Sequence, residues 1–301
     1  MSIQMISCPR IFSAAIAATV LMASAALACT DRQAAVDAVQ ASDFATAEAL
    51  QNTISVDPAC PDDFRLWLDE ALARSYFARA IEAQDPALKR DLTQSSISFF
   101  PHWRSYSLLG DLAGQDGNQE DAARWYQQAI NQMNDGPERH AASVEEAKAL
   151  LTAASSAMLL ADGTIEIPAT RSGNPGGIFI ENLRGYQVEE VVLAIEYDFD
   201  SVNFTSKGND VADQLLSYLL DRNPPRIVLE GHTDPVGAAT YNDQLSLRRA
   251  ESLRDYLVAK GYKGVVGVVG RGETMVPPAP TGITEDSPEH YQIARRVVLI
   301  R

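Results

Sequence analysis

The sequence predicts a multidomain protein, an all-α N-terminal half followed by an α+β sandwich. Three observations predict it. From Thr30 to Ala161 the chain is rich in Ala, Leu, Glu and Gln with a 3.6-residue apolar period. Between residues 163 and 177 Gly163, Pro168, Gly173, Pro175, Gly176 and Gly177 interrupt that pattern. Beyond Val188, short β-branched runs alternate with amphipathic segments, as in a mixed sheet with helices on one face. The full chain has 301 residues, 46% hydrophobic and 22% charged, which excludes collagen-like, disordered and multi-span membrane classes. Forty acidic against 25 basic residues leave a net charge of −15, and phosphate binding needs a basic face, so no nucleic-acid partner is expected.

Residues 1–28 read as a signal peptide. Arg10 precedes the apolar run Ile11 to Ala28, and Ala26-Leu27-Ala28 offers a small-x-small cleavage site before Cys29. No transmembrane span is expected in the mature chain. Two cysteines then remain, and two readings of Cys29 stand. A disulfide with Cys60 would be worth roughly 3 to 4 kcal/mol on the chain-entropy model. Alternatively Ala26-Leu27-Ala28-Cys29 acts as a lipobox and Cys29 carries the lipid of an outer-membrane lipoprotein, although Ala26 lacks the usual large aliphatic side chain.

Within the helical domain, 29–161, Asp63 to Gln84 reads as one long amphipathic helix. The clearest unit is Tyr106-Ser-Leu-Leu-Gly110 with Gly117, Ala122, Tyr126 and Ala129, which resembles one tetratricopeptide repeat. Gly110 and Ala122 would let two helices approach, Gly117 would serve the turn and Tyr126 would fill the groove beneath. Ser42, Phe44, Ala47 and Asp57-Pro58 make a fainter copy. Stacked helical repeats bind extended peptides or proteins, so either a protein partner or a purely positioning role follows for this half. Trp67, Trp103 and Trp125 are expected in the core. Residues 162–187 form a Gly/Pro-rich connector, with Thr164–Pro168 and Gly177–Ile180 as candidate edge strands.

The last domain, 188–301, reads as strand (Val191 to Phe199), helix (Asp210 to Leu220), strand (Arg226 to Glu230), helix (Asn242 to Lys260) and two further strands (Gly264 to Gly270, Arg296 to Ile300). Its chemistry is concentrated in Gly231-His-Thr-Asp-Pro-Val-Gly237, Asn242 and Leu245-Ser-Leu-Arg-Arg-Ala250. Asp234 lies in a loop after a strand, and Asn242, Ser246 and Arg249 share one helix face. A carboxylate, an amide, a hydroxyl and a guanidinium around one concavity suit a zwitterion, whose ammonium meets the carboxylate and whose carboxylate meets the guanidinium. His232 lacks companions at metal-ligand spacing and is expected to pack the loop.

These residues resemble the OmpA-like C-terminal, peptidoglycan-binding family across 188–301. The matching motifs are Tyr197-Asp-Phe-Asp-Ser201, Gly-His-Thr-Asp-x-x-Gly, Asn, Leu-Ser-x-x-Arg-Ala, Gly270-x-Gly272-Glu273 and Arg295-Arg296-Val297. The resemblance implies that Asp234 meets the ammonium of meso-diaminopimelate in the wall's peptide stem and Arg249 its carboxylate. It further implies that Asn242 and Leu245 line the pocket and that Phe199 and Asp200 make weaker contacts. Ala294 stands where the family usually has Asn, and Arg295 and Arg296 are expected to neutralise local acidic surface. The function implied is non-covalent anchoring of a periplasmic helical domain to peptidoglycan in a Gram-negative envelope. The alternative is a periplasmic scaffold whose OmpA-like module is structural. No catalytic motif is present in the sequence, so no enzyme and no cofactor or metal are expected.

Overall fold

The computed structural model describes residues 29–136, 142–168, 176–183, 186–198, 200–280 and 282–301. The expected signal peptide and Phe199 lie outside the described residues. The chain divides into two compact units, Met1–Leu66 and Trp67–Arg301.

The first unit holds α1 (Arg32–Gln40), α2 (Phe44–Ile54) and the start of α3 (Asp62–Glu82). Asp43 caps α2 by accepting from the Thr46 amide, and Ser42 takes φ +58° in the preceding turn. A Cys29–Cys60 disulfide ties the segment before α1 to the loop before α3. Of the two sequence readings of Cys29, the structure contains the paired form.

In the second unit α3 continues, followed by α4 (Pro86–Phe99), α5 (Trp103–Gln115), α6 (Gln119–Asp135) and α7 (Val144–Leu160). Asp85 caps α4, with Pro86 at the first helical position where its missing N–H costs nothing. Ser143 and Glu146 form a capping box at α7. The expected hairpin of small residues is α5–α6. Gly117 turns at φ +78°, and a Cβ on Gly110 would come within 2.5 Å of the Tyr126 ring. Trp103 is buried, and Trp125 is half-buried with its ring tilted 34° against that of Tyr106. Among the described residues no helix is long and apolar enough to cross a membrane.

Neither expected edge strand in 162–187 forms. Thr164–Pro168 has no regular structure and Gly177–Phe179 is a turn of 3-10 helix; the pairing occurs instead between β1 (Asn182–Leu183) and β2 (Tyr186–Gln187). The reason is tertiary. The Gly177 and Ile178 amides donate to Asn131 Oδ1 (2.8 Å) and Gln127 Oε1 (3.0 Å) of α6, so their hydrogen bonds go to a helix and not to a sheet. Ile165, Ile178, Phe179, Ile180 and Leu183 are buried in one core with the helices before them and the sheet after them.

That sheet comprises β3 (Glu190–Leu193), β4 (Arg226–Gly231), β5 (Val265–Gly270) and β6 (Val297–Ile300) in the order β3-β6-β4-β5, with only β4–β5 parallel. Between the strands run α8 (Ser206–Arg222), α9 (Ala239–Ala259) and the unforeseen α10 (Pro288–Ala294). Val191, Leu193, Ile227, Leu229, Val297 and Leu299 alternate inward against Leu215, Leu219, Leu253 and Leu257. β3 ends at Leu193, earlier than its apolar run suggested. Beyond it an antiparallel bridge between Tyr197 and Phe204 closes a loop in which Asp200 adopts φ +51°.

Candidate functional site

The site forms where β4 leaves the sheet. Backbone pairing continues past the strand, with the His232 amide donating to Arg296 O (2.9 Å) and the Thr233 amide to Gly272 O (2.9 Å), so the loop leaves from a fixed base. Asp234 Oδ1 accepts from the Val236 amide at 3.0 Å, an Asx turn, and Gly237 supplies the φ of +110° that follows. Helix α9 then lies directly on β4, because a Cβ at Gly231 would strike the Ser246 carbonyl.

Asn242 secures the loop from α9. Its amide nitrogen donates to Asp234 O and Val236 O, both at 3.3 Å, and to Glu273 Oε2 at 2.6 Å. The Ser246 hydroxyl, expected on the concavity, instead accepts from the Gly272 amide and donates to Asp243 O, each at 2.9 Å. It ties the glycine loop to α9 and does not face the cavity.

Asp200, Asp234, Asn242, Leu245 and Arg249 line one cavity of about 500 Å³. Arg249 is 7% exposed, its Nε donates to Ser201 O (3.1 Å), and its guanidinium carbon sits 5.0 Å from the Tyr197 ring centre. Among the described residues its two terminal nitrogens make no hydrogen bond or ion pair. Burial lowers the Arg249 pKa, opposed by Tyr197 and Asp234, and the neighbouring Arg295 lowers it further. Burial likewise pushes the Tyr197 phenol up, so it stays a neutral donor to Arg249 O at 2.8 Å. Asp200 accepts from the Tyr241 hydroxyl, linking the loop after β3 to α9.

The structure corrects two expectations. Arg295, expected to neutralise local acidic surface, instead lines the cavity and pairs with the Asp234 carboxylate (Nη1 to Oδ2, 2.6 Å). Arg296 is not a surface neutraliser either. It donates to Met275 O (2.9 Å) and Ala294 O (3.4 Å), and burial pushes its pKa to about 10. Composition and spacing carried no signal for the Asp234–Arg295 pair, since its partners are 61 residues apart and meet only through α10 and β6. His232 is buried at 3% exposure with neither ring nitrogen hydrogen-bonded among the described residues. Burial, then the Arg296 charge, pushes its pKa to about 4, so it is neutral at pH 7.

The mixed-sheet domain thus carries, at its strand-to-helix loop, a charged cavity lined by the Arg249 guanidinium and by the Asp200 and Asp234 carboxylates. The family model described as the OmpA family matches residues 196–287. The chain is 31% identical over 153 residues to the peptidoglycan-associated lipoprotein of Pasteurella multocida, covering 50% of this chain and 95% of that protein. It is 38% identical over 81 residues to outer membrane protein A of Klebsiella pneumoniae, a match spanning 26% of this chain and only 24% of that relative. A solved structure, the peptidoglycan-associated lipoprotein from Burkholderia pseudomallei, aligns over 35% of this chain and 86% of its own at 28% identity and a TM-score of 0.30. The chain belongs to the OmpA family.

Proposed function

We propose that this protein binds peptidoglycan non-covalently through the free zwitterionic centre of diaminopimelate in the peptide stem. The observation that supports this most directly is the pair of Arg249 terminal nitrogens left unengaged among the described residues, on a side chain that lines the same cavity as Asp234. A guanidinium forks onto a carboxylate through two charge-assisted bonds, and a carboxylate accepts from an ammonium. Asn242 holds the Asp234 loop, Leu245 supplies apolar wall, and Asp200 with Tyr241 frames the cavity mouth. The names of relatives associated with peptidoglycan support the same reading.

The protein acts as a binding component of a Gram-negative cell envelope and not as a wall hydrolase. The signal peptide exports it to the periplasm, where the helical half either recruits a protein partner or spaces the wall-binding module from the envelope. The Asp234–Arg295 pair favours a second reading, in which the module is structural and the carboxylate is already satisfied.

Co-sedimentation with purified diaminopimelate-type peptidoglycan separates the two. Wild-type protein is expected in the pellet, with Asp234→Asn and Arg249→Gln each weakening binding at least tenfold while far-UV dichroism is retained. Wild-type protein left in the supernatant would favour the structural reading, and breakdown of the glycan or peptide would revive an enzyme. The mass of the mature N-terminus distinguishes a disulfide at Cys29 from a lipid.

A further inference from the structure

Arg295 is the last residue before β6 but one, at the C-terminal cap of α10, and its guanidinium touches Asp234 through Nη1 alone. The contact is end-on, not a bidentate fork. Its side chain is 43% exposed and makes no other hydrogen bond among the described residues, whereas the Asp234 side chain is 14% exposed. One oxygen of Asp234 is fixed by the Val236 amide; the other, Oδ2, is the one Arg295 covers.

We infer that Arg295 is an internal stand-in for the ligand's ammonium, occupying Asp234 Oδ2 until a ligand that brings its own cation displaces it. This rests on the peptidoglycan reading above and names what sets the affinity and selectivity of that site. A half-exposed, singly bonded ion pair is weak and readily exchanged. An ammonium is compact and carries three donors, whereas the Arg295 guanidinium reaches Asp234 here through one nitrogen and not through its two-point fork. Exchange keeps Asp234 paired throughout, so no buried charge is left bare. A ligand with carboxylates but no ammonium gains nothing at Asp234, because it has nothing to exchange for Arg295. Arg295 thereby makes the cavity selective for stems whose diaminopimelate amine is free over those in which it is acylated.

The test is calorimetric titration of the full chain with meso-diaminopimelate and with its N,N′-diacetyl derivative, for wild type, Arg295→Gln and Arg295→Lys. Removing the competitor in Arg295→Gln is expected to tighten meso-diaminopimelate binding about two- to fivefold, leaving the diacetyl compound no tighter than before. Arg295→Lys, which keeps a cation, is expected within twofold of wild type. An unchanged unfolding midpoint would show that the fold is intact. Weaker meso-diaminopimelate binding by Arg295→Gln would make Arg295 a direct contact and overturn the inference, as would equal tightening for both compounds. If none of the three proteins binds meso-diaminopimelate and none sediments with peptidoglycan, the peptidoglycan reading falls and this inference with it.

Discussion

Asp234 and Arg249 are held by different means. Asp234 is positioned by its own backbone turn and by Asn242, whereas Arg249 is positioned by burial, a carbonyl and an aromatic face. His232, two residues before Asp234, titrates well below the ordinary imidazole range because it is buried. Its folded pKa of about 4 lies below the 6.5 of an unperturbed imidazole, so the unfolded chain binds the proton more readily. The stability this contributes is present above about pH 6.5 and lost as pH falls toward and through about 4. A His232→Leu variant, which cannot titrate and removes two ring nitrogens that make no hydrogen bond among the described residues, is expected to show a shallower loss of stability across that window. Denaturant midpoints measured from pH 7 to pH 4 check this; parallel profiles for variant and wild type would refute it.

The α5–α6 hairpin depends on the absence of a side chain. Gly110 lies against the Tyr126 ring, whose hydroxyl is in turn fixed to Asp111 at 2.7 Å. That hydrogen bond resists a shift of the ring. Gly110→Val is therefore expected to destabilise by about 1–3 kcal/mol through overpacking, read as a lower urea midpoint at an unchanged slope. The hairpin was legible because glycine and alanine at those spacings have a steric meaning independent of the rest of the chain. The edge strands expected in 162–187 were not, because a strand's hydrogen bonds depend on which partner reaches it first. Here the side chains of α6 did so.

Across the second unit, the helices and the sheet domain share one core, and polar groups reinforce the junction. Buried Lys207 of α8 donates to Leu159 O (3.2 Å) and to Ala161 O at the C-terminal end of α7, where a cation meets the negative end of the helix dipole. Gln292 of α10 donates to Leu159 O at 2.7 Å. Leu159 also lines the cavity beside Asp234 and Arg249, so the helical half supplies part of its wall. Residues 67–301 are expected to unfold in one cooperative step, with far-UV dichroism and tryptophan fluorescence coincident. Lys207→Met, which leaves the Ala161 carbonyl without its donor, should lower that shared transition by about 1–3 kcal/mol. A separation of the two signals in the wild type would show that the halves are independent.

By itself the sequence determined the class of each half, the strand-loop-helix that carries Asp234, and the helix face that brings Asn242 and Arg249 to one cavity. Those features are local, set by hydrophobic period, turn residues and spacing along one helix. The charge balance of −15 was likewise, without reference to any fold, the reason to expect no nucleic-acid partner. Only the tertiary structure decided that Ser246 turns away, that Arg295 covers Asp234, and that residues 162–187 join the core. Each of these follows from groups distant in sequence competing for the same hydrogen bond, and the winner is set by packing.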